Sequence, residues 1–127
     1  MDLTVRVRRS RYGTVVLVGG DLDVETDESF QAILLDVMRS YSPRLLLDLT
    51  SVTFMDCAGL RALVLTRRRA ETRKGSVRLV AASPVVRRVI AMTRMTDSFP
   101  ITVSRVTVPS VRPNGFRLIA DLGTVYP

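Results

Sequence analysis

The amino-acid sequence predicts an α/β domain: a mixed sheet of four to five strands, covered by about three helices, in the order β-β-α-β-α-β-α-β. Three observations carry that expectation. Leu3, Val5 and Val7 alternate with Thr4, Arg6 and Arg8, the period-two pattern of a strand with one wet face. Phe30, Ile33, Leu34, Val37, Met38 and Tyr41 recur at the spacing of one helical stripe. Leu45-Leu46-Leu47-Asp48-Leu49 is a short, nearly unbroken apolar run, which suits a central strand buried on both faces.

Taken in chain order, Val15 to Val18 follow the turn signal Tyr12-Gly13 and complete a hairpin with the first strand, which Gly20-Asp21-Leu22-Asp23 is expected to end. Thr26 or Asp27 caps the first helix, and Ser42-Pro43 ends it, because a residue before proline is driven out of the helical region. Asp56 is placed to cap a second helix from Cys57 to about Lys74, with Leu60, Leu63 and Val64 on its apolar side and Arg67, Arg68, Arg69 and Arg73 on its wet side. Gly75 supplies the stop. Val77 to Ala81 reads as a strand, and Ser83-Pro84 as an N-cap and first-turn proline for a third helix through Val85, Val86, Val89, Ile90 and Met92. Ile101-Thr102-Val103 reads as the last core strand, which sets the domain at residues 1–104. The extension, residues 105–127, holds Pro109, Pro113 and the turn signal Asn114-Gly115 ahead of an apolar run from Phe116 to Ala120. A loose hairpin and an arm docking elsewhere are both open readings of it.

At 127 residues and 46% hydrophobic content, the chain is one domain long and able to bury a real core. No apolar run approaches the ~20 residues of a membrane span. The N-terminus, with Asp2, Arg6, Arg8 and Arg9, lacks the apolar region of a signal peptide, so the expectation is a soluble cytoplasmic protein that engages no membrane. A single cysteine, Cys57, excludes an internal disulfide. With no histidine, a zinc site or a cysteine–histidine catalytic pair lacks its usual members, so no metal, cofactor or enzymatic activity is expected.

The net charge of +7 is unevenly spread: residues 1–56 hold six arginines and nine acids, residues 57–127 thirteen basic groups and three acids. Such a balance suits nucleic acid or acidic partners. A module for single-stranded nucleic acid interleaves its cations with stacking aromatics, however, and Tyr12, Phe54 and Phe99 show no such clustering. Direct nucleic-acid binding is therefore not expected.

The segment from Thr53 to Leu60 turns from the central strand into a helix, so open N–H groups and the positive dipole end face outward and favour an anion or an acidic partner. The plainer reading is a capped helix whose small Cys57, Ala58 and Gly59 let helix and sheet approach closely. Asp21 and Asp23 either grip arginines of a partner or cap their own loop through side-chain hydrogen bonds. Arg67-Arg68-Arg69 reads as a solvated face, whereas Arg61, one turn into the helix, stands nearer the contact surface.

From Val15 to Val103 these landmarks resemble, in order and spacing, the anti-sigma factor antagonists of the STAS domain class (SpoIIAA-like). Gly20-Asp21-Leu22-Asp23 is similar to the family's Gly-Glu-Leu-Asp, and Leu47-Asp48-Leu49 to its central strand. Phe54-Met55-Asp56-Cys57-Ala58-Gly59-Leu60 resembles Phe-Met-Asp-Ser-Ser-Gly-Leu, and Ser83-Pro84-Val85-Val86-Arg87-Arg88 resembles Ser-Pro-Ala-Val-Lys-Arg. The resemblance implies partner switching: the unphosphorylated antagonist binds an anti-sigma factor that is also an ATP-binding serine kinase, which frees a sigma factor for transcription. Phosphorylation of the serine after the motif's aspartate ends the binding. The expected partner-binding set is Asp21, Asp23, Asp56, Cys57, Ala58, Gly59 and Arg61, on a monomer or weak homodimer. A rival role implied by the same resemblance is a scaffold or oligomeric module of a stressosome-like or other signalling assembly.

Cys57 occupies the phosphoserine-equivalent position, and neither it nor Ala58 carries the hydroxyl that a serine kinase modifies. The usual off switch is therefore expected to be missing, and Thr50, Ser51 and Thr53 precede the helix start. Cys57 reads either as an inert, small serine substitute or as a redox switch. The helix dipole favours thiolate and so oxidation, whereas Asp56 opposes it and no second cysteine resolves a sulfenic acid.

Overall fold

Alternating side chains and short crossovers build the sheet. The computed structural model describes residues 2–99 and 115–121. In chain order the elements are β1 (Leu3–Ser10), β2 (Gly13–Leu22), α1 (Asp27–Ser40), β3 (Arg44–Met55), α2 (Cys57–Thr72), β4 (Ser76–Ala82), α3 (Pro84–Met92) and β5 (Arg117–Asp121). The strand order is β4-β3-β2-β1-β5. β1 runs antiparallel to both of its neighbours, whereas β2, β3 and β4 are parallel. A parallel pair needs a crossover, and α1 and α2 supply the two that this sheet requires.

The pleat sorts residues between two faces. Leu3, Val5 and Val7, Val16 and Val18, Leu45, Leu47 and Leu49, and Val77 and Leu79 join Phe30, Leu34, Leu60, Leu63, Val86 and Ile90 in one core. All three helices therefore cover the same side. On the other side, Leu46 and Asp48 are still only 7% and 8% exposed, as a central strand requires. The row Arg8–Val15–Leu46–Arg78 crosses four strands there.

Several boundaries differ from the expectation, each for a local reason. β2 continues through Leu22, because Gly20 adopts φ +92 against the Asp2 carbonyl and the β2–β3 register slips beside it. The strand bends there instead of ending. β3 runs on to Met55, since Val52 and Met55 stay buried while Ser51, Thr53 and Phe54 face out. Thr26 is the N-cap residue of α1, but its hydroxyl accepts no N–H of that helix and instead donates to the Asp21 carbonyl at 2.7 Å. Lys74, at φ +59, takes the left-handed position after α2; Gly75 is small because a Cβ would strike the Pro43 carbonyl.

α3 is held by Val86 and Ile90, while Met92 is 74% exposed. Ser83 makes no side-chain cap bond, and its Oγ is buried without a hydrogen-bond partner among the described residues. The strand expected at Ile101-Thr102-Val103 lies outside the described residues. Arg117–Asp121, read from sequence as part of a hairpin or an arm, pairs antiparallel with β1 at the sheet edge, with a bulge between Val5 and Arg6.

Candidate functional site

The carboxyl ends of β2 and β3 meet the start of α2. Asp56 is extended, its backbone N–H donates to the Leu22 carbonyl at 3.2 Å, and its Oδ1 accepts from the Gly59 N–H at 3.1 Å. That cap satisfies one of the four N–H groups a helix start leaves open. Gly59 is buried against Leu22, where a Cβ would collide with the carbonyl oxygen. The small residue thus lets α2 begin directly on the end of β2.

This docking leaves Cys57 exposed as the first residue of α2, Ala58 half-buried beside it, and Arg61 exposed four residues on, on the same helix face. Cys57 and Arg61 share an open groove of about 430 Å³ with Leu60, Val64, Thr93 and Met95, which α3 and its following turn close on one side. The sequence did not mark Thr93 and Met95 as part of this surface. Their only signal was a break after Met92, and the fold, not the spacing, brings them beside α2.

The end of β2 and the loop that leads from it to α1 supply the neighbouring acids. Asp23 is buried, and its Oδ1 accepts from Glu25 N–H at 2.9 Å, Thr26 N–H at 3.1 Å and Thr26 Oγ1 at 3.3 Å. Its carboxylate therefore shapes the loop through a local side-chain turn. Asp21 is half-buried; its Oδ2 accepts from Asp2 N–H at 3.4 Å, and its Oδ1 lies 3.5 Å from the Thr53 hydroxyl, which also donates to the Gly20 carbonyl. Phe54, in register with Asp21, is 48% exposed, and Val24 at the loop tip is 70% exposed. Acidic and apolar groups thus share this end of the sheet.

The three arginines of α2 divide. Arg68 and Arg69 are exposed, but Arg67 donates to the Ser98 carbonyl at 2.6 Å, covers the buried Phe99 ring at 4.7 Å and lies 3.6 Å from Glu71. It fastens the segment after α3 to α2, so the expectation of a uniformly solvated run is corrected: at Arg67 the helix turns toward that segment. Among the described residues, no three His, Cys, Asp or Glu side chains come together as a metal site would need.

The family model for the STAS domain matches residues 4–108. The fold is similar to the crystal structure of an anti-sigma factor antagonist from Mycobacterium paratuberculosis, at 30% identity and a TM-score of 0.66, over 77% of this chain and 83% of that one. It is also similar to the anti-sigma factor antagonist SpoIIAA in its unphosphorylated form, at 20% identity and a TM-score of 0.61, over 73% and 83% of the two chains. The phosphorylated form of SpoIIAA from Bacillus matches at 20% identity and a TM-score of 0.56, over 73% and 86%. No curated protein matches the chain.

Proposed function

The chain belongs to the STAS domain family, and on that premise we propose that it is an anti-sigma factor antagonist not controlled by phosphate at the usual place. It binds an anti-sigma factor of the ATP-binding serine kinase type in the cytoplasm and so releases a sigma factor for transcription. The observation that carries this reading is the start of α2: a capped helix mouth with Cys57 exposed at its first position, next to an apolar groove and an acidic loop. Binding, not turnover, is what such a surface offers, since the carboxylate next to the thiol, Asp56, caps the helix through the Gly59 N–H and the chain has no histidine to serve as base.

Within the surface the residues divide by role. Cys57, Ala58 and Arg61 are the groups a partner touches, while Asp56 and Gly59 hold the helix start in position. Asp21 is the acid best placed to meet a cation of the partner, because the Asp23 carboxylate is engaged by its own loop. The comparison with a 30% identical antagonist supports the role. The thiol at Cys57 gives a serine kinase no hydroxyl to modify, so the complex persists when ATP is present.

Affinity capture of the tagged protein from its own cell lysate, read by mass spectrometry, tests the partner. Recovery of an ATP-binding anti-sigma kinase is the expected outcome. Recovery of only other STAS chains contradicts it and makes the protein an assembly module. Incubation with the recovered kinase and ATP is expected to leave the protein's mass unchanged, and a phosphate anywhere on residues 50–58 refutes the missing switch.

A further inference from the structure

The amino ends of the parallel strands, on the order of 30 Å from Cys57 along β3 at ~3.3 Å per residue, carry a second surface that the partner reading does not use. Three stretches distant in sequence meet there: the β1–β2 turn, the start of β3, and the link from α2 to β4. Arg11, Tyr12, Arg44, Leu46, Lys74 and Arg78 line one open groove of about 540 Å³. A second groove shares Arg11, Tyr12 and Arg44 and adds Arg9 and Tyr41. Among the described residues, neither is lined by an acid. None of these cations is ion-paired among the described residues.

The aromatic rings sit among the cations. The Arg9 guanidinium lies 4.7 Å from the Tyr41 ring centroid and Arg11 lies 5.9 Å from that of Tyr12, which is itself 53% exposed. On the linear spacing nucleic-acid binding was not expected; the fold adds Tyr41 and Arg44 to the Arg9-Ser10-Arg11-Tyr12 turn and so interleaves cations with rings. A carboxylate-bearing peptide would use the charges but has no use for an exposed ring. A nucleic-acid strand uses both, with phosphates on the cations and a base stacked on the ring.

We propose that this basic pole is a binding site for single-stranded nucleic acid, with Arg11, Arg44, Lys74 and Arg78 holding phosphates and Tyr12 stacking a base. The site is separate from the start of α2, so its test stands apart from that of the antagonist role. Four phosphate contacts predict a log–log salt dependence of binding with a slope of about −3, at ~0.7 per contact on single strands.

The test is fluorescence anisotropy of a labelled single-stranded oligonucleotide about twelve nucleotides long, matched to the usual range of single-strand site sizes, titrated with the full chain at several salt concentrations. Saturable binding with that slope is expected. The double variant Arg44→Gln/Arg78→Gln should weaken it at least tenfold and flatten the slope by about half, while Arg68→Gln/Arg69→Gln, which removes the same charge from an exposed helix face, leaves it within about twofold. Tyr12→Ala should weaken it fivefold or more, with circular dichroism unchanged in every variant. Absence of saturable binding at low salt overturns the proposal. So does equal weakening by the two double variants, or displacement of the oligonucleotide by polyglutamate at matched charge, which would make the pole a site for acidic protein.

Discussion

Helix α2 is pinned to the sheet at both of its ends by a glycine, yet the two ends use charge in opposite ways. At the carboxyl end of the strands Gly59 abuts the Leu22 carbonyl; at the amino end Gly75 abuts the Pro43 carbonyl. Around Gly59, Asp23 and Asp56 are spent on backbone N–H groups and settle the local structure. Around Gly75, Arg44, Lys74 and Arg78 line an open groove with no acid among the described residues. The difference teaches that polar side chains near the first glycine serve the fold, whereas those near the second contribute little to it and remain available to a ligand.

Adding a methyl group at either glycine should have the largest effect. Gly59→Ala and Gly75→Ala each force a Cβ into backbone, which cannot turn aside as a side chain can, so each is expected to cost about 2–3 kcal/mol in urea unfolding. A tolerated Gly75→Ala would break the symmetry between the ends. Next come the acids. Asp23→Ala removes the acceptor of two backbone N–H groups and a hydroxyl and should cost about 1–2 kcal/mol, and Asp56→Ala should cost about 1 kcal/mol by loss of the helix cap. At the opposite pole, Arg44→Gln/Arg78→Gln should shift stability by no more than about 0.5 kcal/mol. A loss as large as that at Asp23 would show that those arginines hold the fold, and the contrast between the poles would fail.

Much of this was legible in the sequence because the signals were local. The stripe from Phe30 to Met38, the Asp56 cap and the apolar run at Leu45–Leu49 each depend on neighbours within one element. Expectation and structure part where a distant contact decides. Gly20 looked like a strand end, but the Asp2 carbonyl packs on it and the strand bends. Lys74, a residue with a side chain, takes the left-handed turn that glycine usually takes, because Gly75 is needed against Pro43. Arg67 was grouped with its exposed neighbours, and only the return of the chain after α3 gives it Ser98 and Phe99 as partners.

The candidate surface divides the same way. The motif around Cys57 was visible as a string of residues, whereas its groove needs Thr93 and Met95 from another helix end. The basic pole was hidden as a whole, since the Arg9–Tyr12 turn, the Tyr41–Arg44 segment and the Lys74–Arg78 segment lie about 30 residues apart and come together only in the fold.

The most direct test of the central claim is the affinity of the proposed partner, an anti-sigma kinase, for the wild-type chain and for Cys57→Asp, measured by isothermal titration in the presence of ATP. Cys57 is exposed and an acid suits the first turn of a helix, so the fold should be unaffected. If the start of α2 is the contact surface, the added charge at its first residue lowers affinity at least tenfold while the wild-type complex persists with ATP. Equal affinity for the two proteins would contradict the account and move the partner's surface elsewhere on the molecule.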